Sequence, residues 1–242
     1  MSDRARELAG ALAAVRGRIA VACSAAGRDP SEVRLLTVTK TFPAADVALL
    51  TDLGLDGFAE ARDQEAAPKV AELAALRPDS RPRWEMVGRL QRNKAGSVAR
   101  WAHAVQSADS PRLVDALDRA ARTAMTAGER AGPLPVLVQA SIDGDPGRGG
   151  CPLAALPALA DRVDGGDALH LAGVMAVAPL GTDPDEAFAT LSAATERLRR
   201  DHPGATELSA GMSEDLEAAI RHGSTCVRVG TALLGGRRLI SR

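Results

Sequence analysis

Eight short apolar runs, each followed by a stretch of helical periodicity, constrain this chain more than anything else in it. The runs span 33–39, 57–59, 83–87, 102–106, 134–139, 170–174, 206–208 and 226–229. Helical patterns follow at 44–53, 60–76, 93–100, 110–128, 153–163, 184–200 and 213–222, and Gly230 opens a last turn. Strands joined through helices pair in parallel, and a parallel sheet needs cover on its outside. Eight such repeats in 242 residues, with no Pro/Gly/Ser-rich linker between them, favour one closed (β/α)8 TIM barrel, an α/β fold, over an open sheet. A single domain over 1–242 is expected. An extra helix precedes the first strand, because Leu8, Leu12, Val15, Ile19 and Cys23 recur at three- and four-residue steps within 2–27. The segment 143–150 is a loop by its Gly, Pro and Asp content.

In a barrel of this kind chemistry sits at the carboxyl ends of the strands. The first run, Leu35 to Thr39, delivers Lys40 there, and Pro43 stops the strand. Burial on three sides would desolvate the ammonium, lower its pKa and free the amine as a nucleophile. Of the 30 lysines and arginines, only Lys40, Lys69 and Lys94 are lysines. Arginine cannot form an imine, so a lysine retained at a strand end points to amine chemistry. The competing reading is a lysine that snorkels to solvent. Asn93 follows the third strand, Ser107 and Asp109 the fourth, Met175 the sixth and Ser209 the seventh. The loops Ser209-Ala210-Gly211-Met212-Ser213 and Gly230-Thr231-Ala232 bring small residues to helix starts, where backbone N–H groups can approach an anion. Ser209, Gly230 and Thr231 are the main phosphate candidates. Ser213 is a secondary one that also reads as a helix cap, since Glu214 and Asp215 already serve that first turn. An imine-forming lysine facing a phosphate cradle suggests pyridoxal phosphate. Arg228, two residues before Gly230, would then face the pyridine nitrogen and keep it unprotonated. A salt bridge at the rim is the alternative for Arg228.

A formal net charge of −1 and 2% aromatics give no case for nucleic acid or an anionic membrane. Cys23, Cys151 and Cys226 are widely spaced and read as reduced, buried thiols of a cytoplasmic protein. The first 18 residues carry charges throughout and lack a signal-peptide core. No run is expected to reach the length of a membrane span. The four histidines show no metal-ligand spacing, so no metal is expected.

With these residues in view, the chain resembles the pyridoxal phosphate homeostasis proteins of the YggS/PROSC type over nearly its whole length. The landmarks are Leu36-Thr37-Val38-Thr39-Lys40-Thr41, Phe58-Ala59-Glu60-Ala61-Arg62-Asp63-Gln64-Glu65, Gly88-Arg89-Leu90-Gln91-Arg92-Asn93-Lys94, Gly173-Val174-Met175-Ala176, Leu208-Ser209-Ala210-Gly211-Met212-Ser213-Glu214-Asp215-Leu216 and Val227-Arg228-Val229-Gly230-Thr231-Ala232-Leu233-Leu234-Gly235. The resemblance implies a barrel like the N-terminal domain of alanine racemase. It implies pyridoxal 5'-phosphate as a Schiff base on Lys40, phosphate on Ser209, Gly230 and Thr231, and Arg228 near the pyridine nitrogen. Asn93, Met175 and Ser213 are further cofactor candidates. The family's usual Gly-Glu-Asn is here Ala59-Glu60-Ala61, which removes an Asn close to the cofactor.

Three functions compete. The first, favoured, is a non-catalytic binder that serves vitamin B6 and amino-acid homeostasis, with pyridoxal-phosphate-dependent apoenzymes as recipients. The second is a fold type III, racemase-like enzyme using Lys40 as its sole base. The third is a cofactor-free Schiff-base aldolase with Glu60 as acid/base. In the related racemases the second base is a tyrosine from a separate β domain. That domain is not expected here and the chain contains no tyrosine, so the two-base mechanism is ruled out. Cys151 and Cys226 show no activating partner for a cysteine-assisted route. A monomer is expected.

Overall fold

The computed structural model describes residues 2–145 and 149–236. Its strands are β1 (Arg34–Val38), β2 (Gly57–Glu60), β3 (Arg83–Met86), β4 (Ala104–Ala108), β5 (Leu134–Ser141), β6 (Cys151–Pro152), β7 (Leu169–Ala176), β8 (Glu207–Ser209) and β9 (Cys226–Val229). The order β4-β3-β2-β1-β9-β8-β7-β5, with β4 pairing back to β5, closes an eight-stranded parallel barrel. The two-residue β6 only extends the pairing at the end of β5, where Ala140 meets Cys151. Helices α1 (Asp3–Ala25), α2 (Ala44–Asp52), α3 (Asp63–Leu76), α4 (Ala95–Trp101), α5 (Pro111–Thr126), α6 (Leu156–Asp164), α7 (Pro184–Asp201), α8 (Leu216–Arg221) and α9 (Thr231–Leu234) complete the fold.

The period of two along each strand sorts the side chains. Outward residues such as Phe58, Trp84, Val136, Val138, Val174, Leu208, Val227 and Val229 are buried under helices in two large clusters. Inward residues form small apolar plugs, Leu36 with Ala59 and Cys226, and Leu137 with Ala172 and Met175. The alternation therefore puts Arg34, Lys40, Glu85, Gln106, Ser209 and Arg228 on the inward phase.

The expected stripe of α1 is buried: Leu8, Leu12, Val15, Ile19 and Cys23 pack with Leu216 and Ile220 of α8 and Leu233 and Leu234 of α9. Each such side chain contributes about 1.5–3 kcal/mol when fully buried. By length and composition α1 alone, among the described residues, could cross a membrane. That corrects the expectation that no run reaches such a length, and packing on the barrel accounts for the apolar stripe.

Several boundaries differ from the expected ones for identifiable reasons. Glu60 closes β2 and pairs with Met86, so α3 starts at Asp63. Ala102 caps α4 by bonding to Val98, which moves β4 to 104–108 and puts Ser107 inside it. Met175 lies within β7, paired with Gln139 and Ser209. Ser110 occupies the N-cap of α5 without a side-chain cap bond. Asp215, not Ser213, holds the N-cap position of α8. Of the expected loop at 143–150, residues 146–148 fall outside the described residues.

Candidate functional site

Lys40 continues the inward phase of Leu36 and Val38 but lies two residues past the end of β1. It is exposed, which corrects the expected burial on three sides. A tight turn sets its backbone. The Phe42 N–H donates to the Thr39 carbonyl at 3.1 Å, and Thr41 takes the left-handed φ of 69°. That conformation disfavours a β-branched residue, so surrounding bonds must hold it. The Lys69 ammonium donates to the same Thr39 carbonyl at 2.8 Å and to Glu60 Oε1 at 2.5 Å. The Thr39 hydroxyl donates to Glu60 Oε1 at 2.6 Å. Both Lys69 and Glu60 are buried. Glu60 shares the outward phase of Phe58, and its carboxylate is bound to Lys69 under α3. It does not face the barrel mouth, which removes the residue on which the aldolase reading relied. Lys69 is a structural member of the site that sequence reasoning missed, although the lysine census had marked it.

A polar chain crosses the barrel interior. Arg34 pairs with Glu85 at 2.5 Å and Glu207 at 3.1 Å. Gln106 Nε2 donates to Glu85 Oε2 at 2.6 Å, and the Ser209 hydroxyl donates to Gln106 Oε1 at 2.7 Å. Arg228 Nη1 donates to the Ser209 carbonyl and hydroxyl, both at 2.7 Å, and Nη2 to the Ala176 carbonyl at 2.8 Å. Ser209 has one proton, and it goes to Gln106. The Ser209 hydroxyl is thus engaged below the mouth, and as placed it has no proton left for the phosphate contact expected of it. Arg228 is buried without a carboxylate in contact, and burial pushes its pKa down from the ordinary value. The guanidinium stays charged. Three of its five donors are used, which leaves two for an acceptor at the strand ends.

The two small-residue loops do meet. The Ser213 hydroxyl accepts from the Ala232 N–H at 3.3 Å. Gly211 has φ 90°, and a Cβ there would lie 2.6 Å from that of Ala219. A Cβ on Gly230 would come within 3.2 Å of the Val38 carbonyl, so glycine lets this turn close on the end of β1, just before Lys40. The N–H groups of Ser213 and Thr231 have no acceptor among the described residues. Where the two loops meet, Ser213 and Thr231 thus leave backbone N–H groups without an acceptor, close to Gly230.

Other candidates fall elsewhere. Met175 packs with Leu137 and Ala172 inside the barrel, level with Ser209. Asn93 lies in a groove on the outer side of the rim that Lys40 does not line. Ser107 is buried, and its hydroxyl has no partner among the described residues. Asp109 lies near Gly149, whose Cβ would stand 3.8 Å from Asp109 Oδ2. Burial pushes the thiols of Cys151 and Cys226 up to about 11. Among the described residues no cluster of His, Cys, Asp and Glu could hold a metal ion.

Lys40, Arg228 and the small-residue loops thus place the distinctive polar groups of this (β/α)8 barrel at the carboxyl ends of its strands. The family model for the alanine racemase N-terminal domain matches residues 11–238. A pyridoxal phosphate homeostasis protein of Mycobacterium tuberculosis is 53% identical over 99% of this chain and 96% of its own length. One from Escherichia coli is 35% identical over 96% and 97%. The structure of PipY from Synechococcus elongatus with pyridoxal phosphate bound is 33% identical, has a TM-score of 0.79, and covers 94% of this chain and 100% of that one. This chain belongs to the alanine racemase N-terminal domain family, among the pyridoxal phosphate homeostasis proteins. Alanine racemase from Corynebacterium glutamicum, 15% identical with a TM-score of 0.64, covers 92% of this chain and 60% of that one and shares the fold.

Proposed function

We propose that this protein binds pyridoxal 5'-phosphate at the barrel mouth and serves vitamin B6 and amino-acid homeostasis without catalytic turnover. The observation that carries this reading is the placement of Lys40 on the inward phase beside a cradle that closes on the end of its own strand. Lys40 would hold the cofactor through an imine with its amine. Ser213, Gly230 and Thr231 would hold the phosphate by hydroxyl and backbone N–H groups. Arg228 would turn its two free donors to the ring and, as a permanent cation, keep the ring nitrogen from accepting a proton. When bound, the cofactor supplies an aldehyde that condenses with amines and a ring that withdraws electrons. Among the described residues, neither candidate second base is free: Glu60 is tied to Lys69 outside the barrel, and the thiols of Cys151 and Cys226 are buried and protonated. Recipients on this reading are pyridoxal-phosphate-dependent apoenzymes in the cytoplasm. A monomer is part of this reading; of the large exposed apolar side chains among the described residues, Val21 and Leu76 lie on α1 and α3, far along the chain from Val177, Leu180 and Met212 in the loops after β7 and β8.

The test is borohydride reduction of the loaded protein followed by peptide mass spectrometry. A pyridoxyl group on Lys40, absent in Lys40→Ala together with the visible absorbance, is expected. An unmodified Lys40 rejects the reading. In parallel, amino acids incubated with the loaded protein should yield no racemised product beyond that from free cofactor. Turnover well above that level would favour the racemase-like enzyme with Lys40 as sole base.

A further inference from the structure

The segment Gly88 to Lys94 stands out in the sequence, yet the mouth of the barrel uses none of it. It lines a groove of about 920 Å³ over the ends of β3 and β4, where α3, α4 and α5 begin. Arg89, Arg92, Lys94 and Arg112 reach this groove from two separate segments. None of the four side chains has an ion-pair or hydrogen-bond partner among the described residues. Asp63 also lines the groove, and its Oδ1 accepts from Trp101 Nε1 at 3.0 Å. Asp109 is the other carboxylate in the lining. Ser110 adds a hydroxyl unused as a cap, and α5 has no acidic residue in its first turn. A protein with a net charge of −1 thus gathers four unpaired cations in one concavity.

We infer that this groove is a second anion site, distinct from the Lys40 cradle, for a small molecule bearing two or more phosphate charges. Like charges crowded in a cleft repel one another, and a polyanion relieves that repulsion. Arginine forks suit phosphate oxygens, which take two parallel bonds from each guanidinium. The concave shape and the volume suit a small ligand better than a flat protein face. Three of the cations are exposed, so replacing them leaves the core intact.

The test is calorimetric titration of the full chain with inorganic pyrophosphate, orthophosphate and citrate at about 0.15 M salt, where surface attraction is screened. Two variants are compared with the wild type: Arg92→Gln/Arg112→Gln in the groove, and Ser213→Ala/Thr231→Val in the cradle. Pyrophosphate should bind saturably, at least tenfold more weakly in the groove variant and within twofold of wild type in the cradle variant. It should also bind at least fivefold more tightly than orthophosphate or citrate. Absence of saturable binding, equal affinity in the groove variant, loss in the cradle variant instead, or citrate matching pyrophosphate would each overturn the inference. Because the cradle variant separates the two sites, failure here leaves the proposed role of Lys40 standing.

Discussion

Lys69 shows how one buried charge can matter to a site it does not enter. Its ammonium bridges Glu60 and the Thr39 carbonyl, the group directly before Lys40. Removing one member of a buried pair strands the other charge and costs about 3–5 kcal/mol. Lys69→Met should therefore lower the melting temperature by roughly 10 °C, at about 2–4 °C per kcal/mol for a chain of this size. Glu60→Gln/Lys69→Met removes both charges and should recover at least half of that loss. Thermal unfolding followed by circular dichroism reads both. A double variant no more stable than the single one would show that Glu60 is not the charge being stranded. The same logic separates the lysines. Lys40 is retained at the mouth and Lys69 beneath the turn, while arginine carries most other positive charge.

At the scale of the element, the legible parts of the sequence were those set by local chemistry. The last strand matches its expected span, 226–229, residue for residue. The long helix starts at Pro184 as expected, because Asp183 accepts from the Asp185 N–H and proline suits the first turn. Illegible features depend on partners far away in sequence. Ser209 looks like a phosphate ligand until Gln106, 103 residues earlier, takes its proton. Glu60 looks helical until β3 pairs with it. The loops after β2 and β3 give a test of such long-range packing. A Cβ on Gly88 would lie 2.0 Å from the Ala61 carbonyl oxygen, whereas one on Gly96, inside α4, meets nothing within 4 Å. Gly88→Ala should destabilise by about 1–3 kcal/mol through overpacking. Gly96→Ala should stabilise by about 0.4–1 kcal/mol through the unfolded chain. Urea midpoints of the two variants should move in opposite directions. A Gly88→Ala midpoint equal to wild type would mean that the two loops part freely.

For the whole molecule, the three thiols report on how tightly the fold is closed. Cys23 lies on the buried face of α1, Cys151 on β6 and Cys226 inside the barrel, and all three are buried. Burial lifts the Cys226 thiol from its ordinary 9.0 to about 11. Below pH 9 both the folded and the unfolded chain keep that proton, so it has no effect on the pH dependence. Between about 9 and 11 the unfolded chain releases it and the folded chain does not, and stability falls as pH rises. A shift of this size corresponds to roughly 2–3 kcal/mol for one buried thiol. The chain has no tyrosine, so no phenol ionises in the same window. Urea unfolding from pH 8 to 11 should show the midpoint dropping above pH 9, with a shallower fall in Cys226→Ala. At pH 8 an aromatic disulfide reagent should find no fast thiol in the folded protein and three after unfolding. A fast thiol in the folded state, or an identical alkaline slope in Cys226→Ala, would show the barrel to be more open than its packing indicates. A fast thiol would also restore a candidate base to the racemase-like reading.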